Sequence, residues 1–229
     1  MALHFDGRRL LAEAIGTFML VFIGPGTAAV AAWSGQVVAS ITVPLAFGFV
    51  ILSAIYALGH VSGAHFNPAV TAGFWIARRF PNAEVLPYLS AQLLGATVAA
   101  FALRVVVGNA ARASATLLAV SPLKGLGVEV ALTFFLMLVV MAVATDARVA
   151  GPVAGVAVGL TVAFDALMGG PLTGASMNPA RSFGPALATG QWAHHWVYWV
   201  GPLAGAAVAV RVYDYLRHGS AHDYQQGRT

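Results

Sequence analysis

The chain has no cysteine and very little charge. Without cysteine there is no disulfide and no thiolate metal site, and the redox compartment is left open. Charged residues make up 9% of the 229, where a soluble domain carries about 25%, so there is too little charge to coat a surface facing water. The charges present are spread along the chain, with a formal net charge of +4 and no basic run interleaved with aromatics, which argues against nucleic-acid binding. His60, His65, His194 and His195 fall in no metal-ligand grouping with thiols or carboxylates, and His194-His195 suits an interfacial position. No nucleophile-base-orienter set and no phosphate loop occur either. No metal, no cofactor and no enzyme are expected.

What the chain does have is hydrocarbon: 59% hydrophobic residues and a mean hydropathy of +0.79. Six apolar stretches, at about 10–32, 38–59, 85–107, 125–145, 150–169 and 195–216, are each long enough at roughly 20 residues to cross a hydrocarbon core. The first follows Arg8-Arg9, is too long for a signal segment and ends without a cleavage site, so it reads as a span. Gly95-Ala96 and Gly205-Ala206 provide small surfaces for close helix crossings. The expected fold is an all-α membrane protein.

Two polar frames interrupt the hydrocarbon. Ser62-Gly63-Ala64-His65-Phe66-Asn67-Pro68-Ala69-Val70-Thr71 matches Thr173-Gly174-Ala175-Ser176-Met177-Asn178-Pro179-Ala180-Arg181-Ser182 at seven of ten positions, counting Ser for Thr. The match extends outward. Glu13-x-x-x-Thr17-Phe18 answers Glu129-x-x-x-Thr133-Phe134, and Leu93-x-Gly95-Ala96-x-Val98-Ala99 answers Leu203-x-Gly205-Ala206-x-Val208-Ala209. The offsets are 116 for the glutamates, 111 for the asparagines and 110 for the leucines, so the chain is a repeat, with copies at 1–110 and 120–218 and a tail at 219–229. Three spans per copy is an odd number, which forces the second copy to be inverted across the membrane.

Arg8, Arg9, Arg78, Arg79, Arg148, Arg211, Arg217 and Arg228 share one side if the N-terminus is cytoplasmic, eight of the twelve Lys and Arg. Arg104, Arg112, Lys124 and Arg181 fall on the other. The positive-inside rule then puts both termini in the cytoplasm of a cell-membrane protein. After each asparagine runs an apolar segment of 11 residues, Pro68 to Arg78 and Pro179 to Thr189; at 1.5 Å per residue each is about half a bilayer. Each is a candidate half-helix with Asn as N-cap and Pro at N1. Inversion brings them in from opposite sides, and their asparagines meet near the midplane.

Irregular backbone at membrane depth is tolerated where it is buried in protein or lines a wet cavity. The carbonyls of Gly63, Ala64, His65 and Phe66, and of Gly174, Ala175, Ser176 and Met177, would form a track for water or a small polar solute. Asn67 and Asn178 would donate to a passing oxygen at the positive ends of both half-helices, which interrupts a proton wire and opposes cations. Glu13 and Glu129 suit the structural use of accepting hydrogen bonds from loop N–H groups, one acid per loop; a proton relay in a coupled transporter is the competing use. Taken alone, Arg181 reads as a snorkelling or a pore-lining side chain, and Phe47 as packing.

Six spans, inverted halves, paired Asn-Pro-Ala boxes (Asn67-Pro68-Ala69 and Asn178-Pro179-Ala180), Arg181 after the second box and the two glutamates together resemble the aquaporin family, or major intrinsic proteins, over nearly the whole chain. The resemblance implies six transmembrane helices plus two re-entrant half-helices, a homotetramer with one pore per subunit, and a selectivity filter at Phe47, Ala166, Ala175 and Arg181. It also implies that His65 lines the cytoplasmic half of the pore. Water-selective members carry histidine where this chain has Ala166, which widens the opening. The stretch from Gly170 to Ser182 looks like plant nodulin-like intrinsic proteins, which carry glycerol and uncharged metalloid acids, whereas Ser182 and Tyr198-Trp199 look like water-channel members. The expectation is a passive channel for water and small uncharged solutes; the alternative is a channel mainly for glycerol, urea or metalloid hydroxides. Asp165, with no counterpart in the first copy, is placed at the outer vestibule without a role.

Overall fold

A computed structural model describes residues 6–36, 39–149, 151 and 153–226, with backbone alone over 218–226. Among the described residues there is no strand. The helices are α1 Gly7–Ser34, α2 Ala39–Ser62, α3 Pro68–Ile76, α4 Asn82–Val107, α5 Pro122–Thr145, α6 Ala154–Thr173, α7 Pro179–Thr189 and α8 Val197–Gln226, with a 3-10 helix over Gly108–Ser114. In hydrocarbon a segment must satisfy its backbone polar groups internally, so apolar runs of this length become helices. Five of them, α1, α2, α4 with its 3-10 extension, α5 and α6, are long and apolar enough to cross a membrane. The sixth, α8, has 30 residues and is diluted by Arg211 and Asp214; it runs past the expected end at 216, so the tail expected from 219 continues as helix to Gln226, while 227–229 lie outside the described residues.

Two boundaries differ from the sequence reading. The fifth span lies at 154–173 rather than 150–169, because Pro171 stays within the last turn and Gly174, left-handed at φ 82, ends the helix. The first half-helix stops at Ile76, two residues short of Arg78, where Arg78 turns left-handed at φ 57 and the N–H of Arg79 closes on the Phe74 carbonyl at 2.9 Å.

Packing follows the inverted repeat. α1 lies along α4 as α5 lies along α8, α1 against α2 as α5 against α6, and α7 against α4 as α3 against α8. α2 and α6 pair with each other at the centre, through Gly48 and Gly159. A Cβ on Gly48 would sit 2.8 Å from the Gly159 carbonyl, and one on Gly159 would sit 2.7 Å from the Gly48 carbonyl, so each glycine admits the backbone of the other helix. Gly95 meets the Ala14 carbonyl in the same way, and Gly205 the Val130 carbonyl. These close crossings bring the two polar frames into the middle of the bundle.

Candidate functional site

The two frames adopt one backbone path twice. Gly63, Ala64 and Phe66 have φ of 86, 52 and 49°, and Gly174, Ala175 and Met177 have 82, 44 and 52°. A left-handed non-glycine residue costs about 1–2 kcal/mol, so the four non-glycine positions hold strain that other contacts must offset.

The buried acids supply those contacts. Glu13 Oε1 accepts the Ser62 hydroxyl at 2.7 Å and the His65 N–H at 3.0 Å, while Oε2 accepts the Phe66 N–H at 2.7 Å and the Gln92 side-chain N–H at 2.8 Å. In the second copy, Glu129 Oε1 accepts the Thr173 hydroxyl at 2.7 Å and the Ser176 N–H at 2.9 Å, and Oε2 accepts the Met177 N–H at 2.8 Å. Both acids are fully buried. Each carboxylate thus holds two consecutive amides of its own loop in the left-handed turn.

Both asparagines cap their half-helices. Asn67 Oδ1 accepts from the Ala69 N–H at 2.8 Å, and Asn178 Oδ1 from the Ala180 and Arg181 N–H groups at 3.0 and 3.2 Å. Pro68 and Pro179 stand at N1, where a missing N–H leaves nothing unpaired. The side-chain amides cross over: Asn67 Nδ2 donates to the Met177 carbonyl at 2.8 Å, and Asn178 Nδ2 donates to the Phe66 carbonyl at 2.9 Å. The copies are locked to one another at the point where both helix N-termini converge.

Arg181 is buried and turned inward rather than out to an interface. Its Nη1 donates to the Ser114 carbonyl at 3.2 Å and Nη2 to the Gly174 carbonyl at 3.3 Å, and its Cζ lies 5.1 Å from the centre of the Phe47 ring. A cavity of about 500 Å³ extends from Gly151 and Ala154 at the α5–α6 connection to Arg181. Leu20, Phe47, Ile51, Val158 and Val162 give it an apolar wall, and Gly63 to Asn67 together with Ser176, Met177 and Asn178 border it. Ala166 and Ala175 are buried and stand outside this lining, as does Gly174, whose carbonyl is taken by Arg181. Asp165 is not at a vestibule surface: it is 1% exposed, with Oδ2 lacking a partner among the described residues. His65 lines the cavity and places Nδ1 3.0 Å from the Thr71 hydroxyl, against the rings of Phe74, Phe80 and Tyr88.

Several residues of the site were given no structural role from sequence. The hydroxyls of Ser62 and Thr173 join acid to loop, each also accepting the N–H two residues on, from Ala64 and Ala175 at 3.1 Å. The hydroxyls of Tyr88 and Tyr198 donate to the carbonyls of Ser62 and Thr173, both at 2.8 Å. These pairs keep the repeat offset, so aligning the copies position by position would have found them. Gln92 and the segment around Ser114 and Thr116 break the repeat, and no pattern marks them.

Membrane-crossing helices, an inverted duplication and two polar loops crossing at its centre define a passive channel for water and small solutes. The family model described as "Major intrinsic protein" matches residues 3–213, and the chain belongs to that family. It is 44% identical to "Aquaporin NIP1-1" of Oryza sativa subsp. japonica over 211 residues, covering 92% of this chain and 74% of that one. It is 40% identical to "Aquaporin AqpM" of Methanothermobacter marburgensis over 238 residues, covering 91% and 97%. Among solved structures, the aquaglyceroporin from Plasmodium falciparum superposes with a TM-score of 0.81 at 27% identity, over 90% of this chain and 95% of that chain. The chain is therefore a channel and not an enzyme.

Proposed function

We propose that the permeation path follows the cavity, passes between Asn67 and Asn178, and leaves through a filter made by Phe47, Ala166, Ala175 and Arg181. The observation that carries this reading is the reciprocal pair of bonds from each asparagine amide to the opposite loop's carbonyl. An amide NH2 has two protons, so each asparagine keeps one N–H for a permeant oxygen after the cross-link is made. A water that accepts both aims its hydrogens away from the centre. The half-helix dipoles oppose a proton or cation at the same point.

The carbonyls of Gly63, Ala64, His65, Phe66, Gly174, Ser176 and Met177 serve as the polar track opposite the apolar wall. Those of Phe66 and Met177 have one lone pair already engaged by asparagine. Arg181 over the Phe47 ring favours water together with small uncharged solutes over a channel given mainly to larger ones, while the small Ala166 and Ala175 leave room beyond a water molecule. Glu13 and Glu129, enclosed by loop amides, are structural supports rather than a relay. The arginine distribution supports cytoplasmic termini in a plasma membrane. Phe49 on α2 and Leu160 on α6, 63% and 62% exposed, suit a face that meets lipid or neighbouring subunits of a homotetramer.

Stopped-flow light scattering on proteoliposomes tests the function. Vesicles holding the chain should shrink several-fold faster than empty ones under an impermeant osmolyte and should reswell with glycerol. Correctly folded protein that leaves the shrinkage rate at the empty-vesicle value would overturn the reading.

A further inference from the structure

The segment joining the two copies belongs to neither, yet it is bonded to the second polar frame at two points and to the end of α6 just before it at a third. The Ser114 carbonyl accepts from Arg181 Nη1 at 3.2 Å, the Thr116 hydroxyl donates to Ser182 Oγ at 2.8 Å, and the Ala119 N–H donates to the Leu172 carbonyl at 2.9 Å. Thr116 is 4% exposed, and it lies so close to Gly174 that a Cβ there would be 3.2 Å from Thr116 Cα and Cγ2.

The proton directions can be assigned by counting. Each hydroxyl has one proton. Ser176 spends its proton on the Asn178 carbonyl at 2.9 Å, so across the 2.6 Å contact between the two serines Ser182 must be the donor. Ser182 then has none left for Thr116, which donates to it. The chain runs one way, Thr116 to Ser182 to Ser176 to the Asn178 carbonyl, and consecutive hydrogen bonds of one sense strengthen one another. In the first copy the corresponding hydroxyl, Thr71, receives Gln92 Nε2 from α4 at 2.9 Å and bonds the Asn67 carbonyl at 3.2 Å. The Thr71 hydroxyl is thus bonded within its own copy, and the Ser182 hydroxyl from the linker.

We infer that Thr116 is a positioning residue for the channel: its hydroxyl, acting through Ser182 and Ser176, sets Asn178 relative to Arg181, which the same linker segment holds through the Ser114 carbonyl. The two ends of the outer half of the path are then fixed to one piece of backbone. Loss of the link lets them move independently, and size discrimination falls. This rests on the proposed path between Asn178 and Arg181.

The test compares water and glycerol permeabilities of full-length protein in vesicles, expressed as a ratio. The ratio is independent of how much protein folds, so a merely structural role would leave it unchanged. In Thr116→Val the glycerol-to-water ratio should rise at least twofold, and Thr116→Ser should restore the wild-type value. Ser182→Ala, which cuts the same chain one step further on, should give a similar rise, and Thr116→Val added to it should change nothing more. A wild-type ratio in Thr116→Val overturns the inference; if that variant does not fold, a wild-type ratio in Ser182→Ala does so. Wild-type vesicles no faster than empty ones would instead refute the channel path itself.

Discussion

The Glu13 carboxylate accepts the backbone N–H of Phe66 at 2.7 Å, a bond between the first span and a loop residue that stands left-handed at φ 49. The acid thereby stabilises a conformation that a phenylalanine does not adopt unaided. Glu13→Gln keeps one acceptor oxygen and turns an NH2 toward a donor, which leaves a buried N–H unsatisfied at a cost of about 1–3 kcal/mol. A lower thermal midpoint in detergent, read by tryptophan fluorescence, is expected for Glu13→Gln and equally for Glu129→Gln. A relay role instead predicts unchanged stability with altered proton flux.

Asn67→Asp separates the two tasks of the box asparagine. Aspartate keeps the acceptor that caps Ala69, so α3 should still form. It cannot donate to the Met177 carbonyl, and it places negative charge where two helix dipoles are positive. The variant should fold, conduct water more slowly, and admit protons or cations that the wild type rejects. A pH-sensitive dye trapped in vesicles measures this, and a leak equal to that of wild type counts against the proposed central barrier.

Ala166→His addresses the filter. Histidine adds bulk and a donor at a buried alanine on α6, within the outer half of the proposed path. Glycerol permeability should fall at least tenfold while water permeability falls less than threefold. Parallel losses of both would remove Ala166 from the filter.

Much of this architecture is legible in the sequence because the duplication writes each feature twice. The Asn-Pro pairs name two half-helix starts, and the glutamates at corresponding positions name two loop supports, since a buried carboxylate in a span needs donors and the loops have unpaired ones. Boundaries were less legible. Hydropathy ends the fifth span at 169, whereas the helix runs to Thr173 because Pro171 is kept within the last turn and Gly174 ends it, and the Thr173 hydroxyl then reaches Glu129. Thr116 and Ser114 were invisible for a different reason: they act across 66 and 67 residues of chain on Ser182 and Arg181, in a linker with no repeat partner to flag them. Asp165 also lacks a partner copy, and its burial depends on α6 rotation that apolar content alone does not give.

The C-terminal end of α5 carries a pH-dependent contact. Asp146 accepts the Arg148 N–H at 3.0 Å, Arg148 Nε at 2.9 Å and Nη2 at 2.6 Å, and the Tyr213 hydroxyl of α8 at 3.2 Å. The Arg148 side-chain bonds, followed by its backbone N–H, hold the carboxyl well below the usual carboxylate range. A carboxyl depressed on folding contributes stability that is present above its unfolded value, about 3.9, and is lost as pH falls through the folded one. The contact is therefore intact throughout the neutral range, and it ties the connection beside the cavity mouth to α8. Asp146→Asn should lower the thermal midpoint by a similar amount at pH 7 and pH 5.5, and the difference from wild type should shrink only below about pH 4. A difference that already vanishes at pH 5.5 would mean that Asp146 titrates well above the ordinary carboxylate range, and that Arg148 does not hold it in solution.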